Sequence, residues 1–139
     1  MLYIDLDHFK PVNDQHGHGV GDQVLQRFAE RMRKIVRPTD CVARLGGDEF
    51  AIVLLGVNDR KIARAVAEKV IAAANKPFAV GELQITIGVS VGVAFAVSAK
   101  PGASGASGWA DLVARADANL YKAKAAGRGR YIDETAGSA

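Results

Sequence analysis

The stretch Arg44-Leu45-Gly46-Gly47-Asp48-Glu49-Phe50 lies between two apolar runs, Cys41-Val42-Ala43 before it and Ala51-Ile52-Val53-Leu54-Leu55 after it. A Gly-Gly pair followed by an acid, joining two such runs, predicts a tight β-hairpin. Its tip would carry two carboxylates, Asp48 and Glu49, beside a backbone bare enough at Gly46 and Gly47 for a ligand to come close. A second acidic cluster, Asp5-Leu6-Asp7, follows the short apolar run from Met1 to Ile4. Two acidic strand ends in one small chain point to a site for a divalent metal and phosphate. The hairpin by itself reads equally well as a solvated tip.

Outward from the hairpin, helical spacing dominates. Towards the N-terminus, Val24, Leu25, Phe28, Met32, Ile35 and Val36 recur at helical intervals from Val20, and Pro38 closes the segment. Towards the C-terminus, Ile62, Ala65, Val66, Lys69, Val70 and Ala73 trace a second amphipathic helix, stopped before Pro77. From Leu83 the odd positions up to Val97 are apolar, the period of a strand or strand pair. On the even side, Gly88 and Gly92 leave room for a helix to pack closely, or mark a bulge. The Gly/Ala/Ser-rich stretch from Ser98 to Gly108 reads as a flexible loop. A third helix runs from about Trp109 to Ala126, with Leu112, Val113, Ala116 and Leu120 inward and Gly127 as its stop. Tyr131-Ile132 adds a short edge strand. The order β-α-β-β-α-β-α-β predicts an α/β (α+β) fold with a mixed sheet and helices on its faces.

Composition sets the outer limits. The 139 residues make one domain, expected over 1–133 with a flexible tail at 134–139. Apolar residues at 49% and charged residues at 24% suit a globular chain with a real core. The net charge of +3 is spread out, which argues against nucleic acid as a partner and leaves a nucleotide ligand open. The single Cys41 forms no internal disulfide; it fits a reducing cytoplasm and reads as a small core residue. No apolar stretch approaches the ~20 residues that span a bilayer, so any membrane attachment lies outside this chain. The chain opens directly on a strand, as a domain cut from a longer protein would. His8, His16 and His18 invite a transition-metal reading, but no Cys or carboxylate completes a tetrahedral set at the usual spacing. Trp109 is expected to pack rather than to stack on a ligand.

Four pieces together resemble the GGDEF domain family, the diguanylate cyclases. They are Asp5-Leu6-Asp7-His8-Phe9-Lys10-Pro11-Val12-Asn13-Asp14, His16-Gly17-His18-Gly19-Val20-Gly21-Asp22, Arg44 to Phe50, and Tyr121-Lys122-Ala123-Lys124-Ala125-Ala126-Gly127-Arg128. They span nearly the whole chain in the family's order and spacing. The resemblance implies a mostly antiparallel sheet flanked by helices, like the palm of nucleotide cyclases and polymerases. It implies that two GTP are condensed to cyclic di-GMP and two pyrophosphates, with Mg²⁺ (or Mn²⁺), at the interface of a homodimer. It also implies fusion to a sensor or phosphodiesterase domain in the full protein.

By the same resemblance, Asp5, Asp48 and the main-chain carbonyl of Leu6 are metal ligands, and Glu49 holds a second ion or its water. Asp48 is also given the proton-acceptor role, with Glu49 and Lys10 beside it in catalysis. The N–H groups of His8 and Phe9, with Lys10, face the β- and γ-phosphates, along the bare backbone of Gly46 and Gly47. Lys124 and Arg128, four apart near a helix end, reach the same triphosphate. Asn13 and Asp22 resemble the family's guanine readers, while His18 is structural. Arg37-Pro38-Thr39-Asp40 has the spacing of the family's product-inhibition site, with Arg37 and Asp40 holding cyclic di-GMP. Two departures stand out: the helical segment that usually precedes the first strand is missing, and Gly129 replaces the usual Asn. The alternatives are a non-catalytic GGDEF module that binds GTP or cyclic di-GMP, and another nucleotidyl cyclase or polymerase-like palm, which Asn13 and Asp22 disfavour.

Overall fold

Leu2, Ile4 and Leu6 alternate with Tyr3, Asp5 and Asp7, so an extended chain puts three apolar side chains on one face and the acids on the other. In the computed structural model, which describes residues 1–96 and 108–134, this segment is β1 (Leu2–Asp7), the middle strand of a five-stranded sheet. The elements that follow are α1 (Phe9–His16), α2 (His18–Ile35), β2 (Cys41–Gly46), β3 (Glu49–Val53), α3 (Arg60–Asn75), β4 (Phe78–Val80), β5 (Leu83–Ile85), β6 (Gly88–Val93), α4 (Trp109–Ala125) and β7 (Tyr131–Ile132). The sheet order is β2-β3-β1-β6-β7, antiparallel except for the parallel β6–β7 pair, and β4–β5 forms a separate hairpin. The mixed, mostly antiparallel sheet flanked by helices is the one expected.

One sheet face buries Leu2, Ile4, Leu6, Val89, Val91 and Val93 against α2 and α3. Phe28 centres that core, edge-on to Phe50 at 5.4 Å and to Phe78 at 6.5 Å. Arg31 on α2 supplies hydrogen bonds to the carbonyls at the end of α3, Ala73 at 2.6 Å and Lys76 at 2.7 Å, and lies 3.6 Å over the Phe78 ring. The opposite face holds a smaller cluster, Met1, Ala51 and Ala94 under Leu112 and Ala116 of α4. Here α4 crosses β6 at Gly92, where any side chain would strike the helix backbone. Asn119 fixes the crossing by donating to the Val93 carbonyl at 2.9 Å.

Several expectations are corrected. A helix, α1, precedes the first one read from the sequence; it buries only Phe9 and Val12. Pro11 sits in its first turn, where no intrahelical N–H is required. The inward face of α3 is Ala63, Val66, Ala67, Val70 and Ala74, leaving Ile62 48% exposed, because alanine in every turn blurs the stripe. The period-two run from Leu83 breaks after Ile85, so β5 and β6 serve different sheets and Leu83 is exposed. Cys41 lies exposed on the edge strand β2 and is not a core residue. Trp109 is 60% exposed at the start of α4 and packs into neither cluster.

The expected loop at 98–108 falls largely outside the described residues, as does all of the expected tail at 134–139 except its first residue. Glu134, assigned to that tail, is bound by Arg115 of α4 and accepts from the Phe95 N–H at 3.1 Å. Among the described residues, no helix is long and apolar enough to cross a membrane.

Candidate active site

Asp5 and Asp7 point to the α4 face near the end of β1, beside the β2–β3 hairpin tip. The Leu6 N–H donates to the main-chain oxygen of Asp48 at 3.1 Å, locking strand end to tip. N–H and C=O of one strand residue lie on the same side, so the Leu6 carbonyl opens past the tip. Arg44 clamps the hairpin from within, its Nε donating to the Gly47 carbonyl at 2.9 Å across a bulge. A Cβ on Gly46 or Gly47 would meet nothing within 4 Å, so the backbone there is open to a ligand.

Beside this tip lie two adjoining clefts. One, of about 290 Å³, is lined by Asp5, Leu6, Asp7, His8, Phe9, Lys10, Asp48, Lys124 and Arg128. The other, of about 340 Å³, is lined by Asn13, His18, Asp22, Arg44 and Gly47, and shares Phe9, Lys10 and Asp48 with the first. The fold thus gathers the carboxylates and the cations in one cleft and the amide–carboxylate pair in the next. Asn13 on α1 is seated because Gly21 on α2 has no side chain: a Cβ there would lie 1.9 Å from Asn13 Oδ1.

In the first cleft, Lys124 Nζ donates to Asp5 Oδ2. Burial pushes the Asp5 carboxyl above its ordinary range, Lys124 opposes that, and the Asp48 carboxylate adds to it. Two mutually repelling carboxylates and a free carbonyl form a hard oxygen set that a divalent cation would satisfy. Among the described residues there is no cage of three or more His, Cys, Asp or Glu. A cation held by so few protein oxygens would leave room for phosphate oxygens.

The phosphate side is built from helix ends. His8 adopts a left-handed backbone, φ 59°, immediately before α1, and no side chain caps that helix. Its first N–H groups are therefore available to an anion. Lys124 is on α4, but Arg128 lies beyond the helix end, also left-handed at φ 63°. The four-residue spacing therefore does not put both on one helix face: Arg128 reaches the cleft through a closing turn in which its N–H donates to the Ala123 carbonyl at 3.0 Å. Asp7 anchors that turn, accepting from Gly129 N at 3.0 Å and Ser90 Oγ at 2.8 Å, with Arg128 Nε 3.8 Å away.

Glu49 pairs with Asp5 across the strands but lines neither cleft; its Oε2 accepts from the Tyr3 hydroxyl at 3.0 Å. Burial first, then Glu49, pushes the Tyr3 phenol up to about 12, so it remains a donor at neutral pH. Arg37 and Asp40 lie apart from both clefts and bind each other. Asp40 accepts from Arg37 N, Nε and Nη2 at 2.8–3.0 Å and from Leu55 N at 3.1 Å. The Asp40 side chain is 1% exposed and that of Arg37 54%.

The roles of Asp7, Tyr3, Gly21 and Arg44 escaped the sequence reading, although Asp7 was already grouped with Asp5 as an acid of the site. Period-two alternation already put Tyr3, Asp5 and Asp7 on one face, a signal that could have found the first two.

Residues 1–130 match the family described as diguanylate cyclase, GGDEF domain. The chain is 39% identical to a bifunctional diguanylate cyclase/cyclic di-GMP phosphodiesterase, MucR of Pseudomonas aeruginosa, over 94% of this chain and 18% of that protein. It is 34% identical to the response regulator PleD of Caulobacter vibrioides, over 97% of this chain and 29% of that protein. The chain therefore spans less than a third of either relative. Among solved structures, the GGDEF domain of YfiN (TpbB) from Pseudomonas aeruginosa superposes with a TM-score of 0.84 at 36% identity, covering 97% of this chain and 81% of that one. The active GGEEF domain of a diguanylate cyclase from Vibrio cholerae gives 0.81 at 33% identity, covering 98% and 82%.

Proposed function

The chain belongs to the GGDEF domain family, and from that premise we propose that it is a diguanylate cyclase, joining two GTP into cyclic di-GMP. In each half-reaction the 3′-oxygen of one GTP bonds to the α-phosphorus of the other. The bond to pyrophosphate breaks and the hydroxyl proton is lost, so two pyrophosphates leave per product. The observation that carries the reading is the convergence of Asp5, Asp48, an uncapped helix start, Lys124 and Arg128 in one cleft that adjoins Asn13 and Asp22.

Asp5, Asp48 and the Leu6 carbonyl would hold Mg²⁺ or Mn²⁺, with Glu49 towards a second ion or its water. Such an ion lowers the pKa of the attacking hydroxyl and offsets charge building on the phosphates. Main-chain N–H groups at His8 and Phe9, with Lys10, Lys124 and Arg128, bind the β- and γ-phosphates. Asp22 accepts from guanine N1–H and N2–H₂ and Asn13 completes that edge; adenine would leave Asp22 unpaired. Asp48 takes the hydroxyl proton in this reading. One domain supplies half a site, so turnover needs two domains with their GTPs antiparallel, and Arg37 with Asp40 binds the product as an inhibitor. The whole protein carries further signalling domains beyond this chain.

The test is incubation with GTP and Mg²⁺ followed by separation of nucleotides, at several protein concentrations. One cyclic di-GMP per two pyrophosphates is expected, with specific activity rising with concentration. Asp48→Asn should lower turnover at least a hundredfold with the fold retained. GTP bound but never consumed would refute the enzyme reading in favour of a receptor.

A further inference from the structure

Glu49 is the one acid of the hairpin tip held outside both clefts, and the group that holds it is Tyr3. Tyr3 stands two residues before Asp5 on the same face of β1, and Glu49 lies directly across from Asp5 on β3. The Tyr3 ring packs against the small cluster under α4, so its hydroxyl sits on a rigid arm in the middle of the sheet. A glutamate has three side-chain torsions, and one fixed donor removes most of that freedom. A carboxylate accepts several hydrogen bonds, so Tyr3 on Oε2 leaves Oε1 available.

We propose that Tyr3 is a positioning residue for Glu49, holding Oε2 so that the carboxylate stays beside Asp5 with Oε1 free for the second ion or its water. The inference rests on the cyclase reading of the cleft. Neutral donors behind a metal-binding carboxylate ordinarily change metal affinity without touching the ion. Phenylalanine keeps the ring and its packing and removes the donor alone.

The experiment is calorimetric titration of Mn²⁺ into the chain with a non-hydrolysable GTP analogue, for wild type, Tyr3→Phe, Glu49→Ala and the double variant. Tyr3→Phe should weaken Mn²⁺ binding about tenfold with a thermal midpoint close to wild type. In the Glu49→Ala background the same change should have no effect, because Tyr3 acts through Glu49. Turnover of Tyr3→Phe should recover at high Mg²⁺, a rescue that a merely structural defect would not give. Equal losses in both backgrounds, no loss in either, or tighter Mn²⁺ binding in Tyr3→Phe would each overturn the proposal. If the wild type binds the analogue with no Mn²⁺ dependence, the metal reading of the cleft fails as well.

Discussion

Replacing Gly92 with alanine tests whether the seating of α4 on the sheet sets the site. A Cβ on Gly92 would lie 2.0 Å from the Ala116 carbonyl oxygen, 2.3 Å from Leu120 N and 2.9 Å from Leu120 Cα. All three are backbone atoms, so no rotamer change relieves the clash. To restore ordinary contact the helix must retreat by more than an ångström. Overpacking of this kind costs about 1–3 kcal/mol. The retreat also stretches the buried Asn119–Val93 bond, adding about 1 kcal/mol. The expected loss of about 2–4 kcal/mol lowers the unfolding midpoint by roughly 5–15 °C for a chain of this size. Lys124 is one turn beyond Leu120, so the same shift draws its ammonium off the cleft, and GTP affinity should fall about fivefold. Differential scanning calorimetry and nucleotide titration read the two effects. A midpoint within about 2 °C of wild type would refute the packing argument. A large drop in midpoint with unchanged GTP affinity would show that Lys124 does not depend on the crossing.

Three further outcomes are expected. Asp22→Ala should weaken GTP binding by about 1–3 kcal/mol and leave weak ATP binding almost unchanged; equal losses by calorimetry would make Asp22 a loop support. The Arg37 hydrogen bond lowers the Asp40 carboxyl to about 2 from 3.8. A group depressed on folding stabilises above its unfolded value, so this contribution holds above about pH 4 and is lost as pH falls towards 2. Asp40→Asn should flatten that part of the acid-unfolding curve, and superimposable curves would contradict the assignment. Arg37→Ala should keep the initial rate of GTP turnover and lose inhibition by added cyclic di-GMP, whereas equal inhibition of variant and wild type would exclude a regulatory role.

The hairpin, the strand before Asp5 and the helix closing at Gly127 were legible because each combines a periodic run with its own stop signal. What was illegible depended on partners distant in sequence. Cys41 looks like core until the sheet order puts β2 at the edge. The eight residues of α1 offer two apolar positions, too few for a period, and its start is set by the left-handed His8 rather than by a capping side chain. At the site, two acidic strand ends already grouped Asp5 with Asp48, whereas Asn13 and Asp22 were paired only through family resemblance. The hold of Asp7 on Gly129, or of Tyr3 on Glu49, links residues 122 and 46 positions apart. Lys124 and Arg128 converge for a reason the helical repeat does not supply, since one of them has already left the helix.

The strand that carries Asp5 is bonded on both sides, to β3 and to β6, with two more strands outside those. Its amides should therefore be among the last to exchange with solvent, opening only with global unfolding. Asp5, fixed to the keel of the sheet, is therefore expected to hold its place whatever signal reaches the domain. Under the half-site reading, what a signal can still vary is the frequency and angle at which two such keels meet, so control becomes a matter of collision rather than of shape.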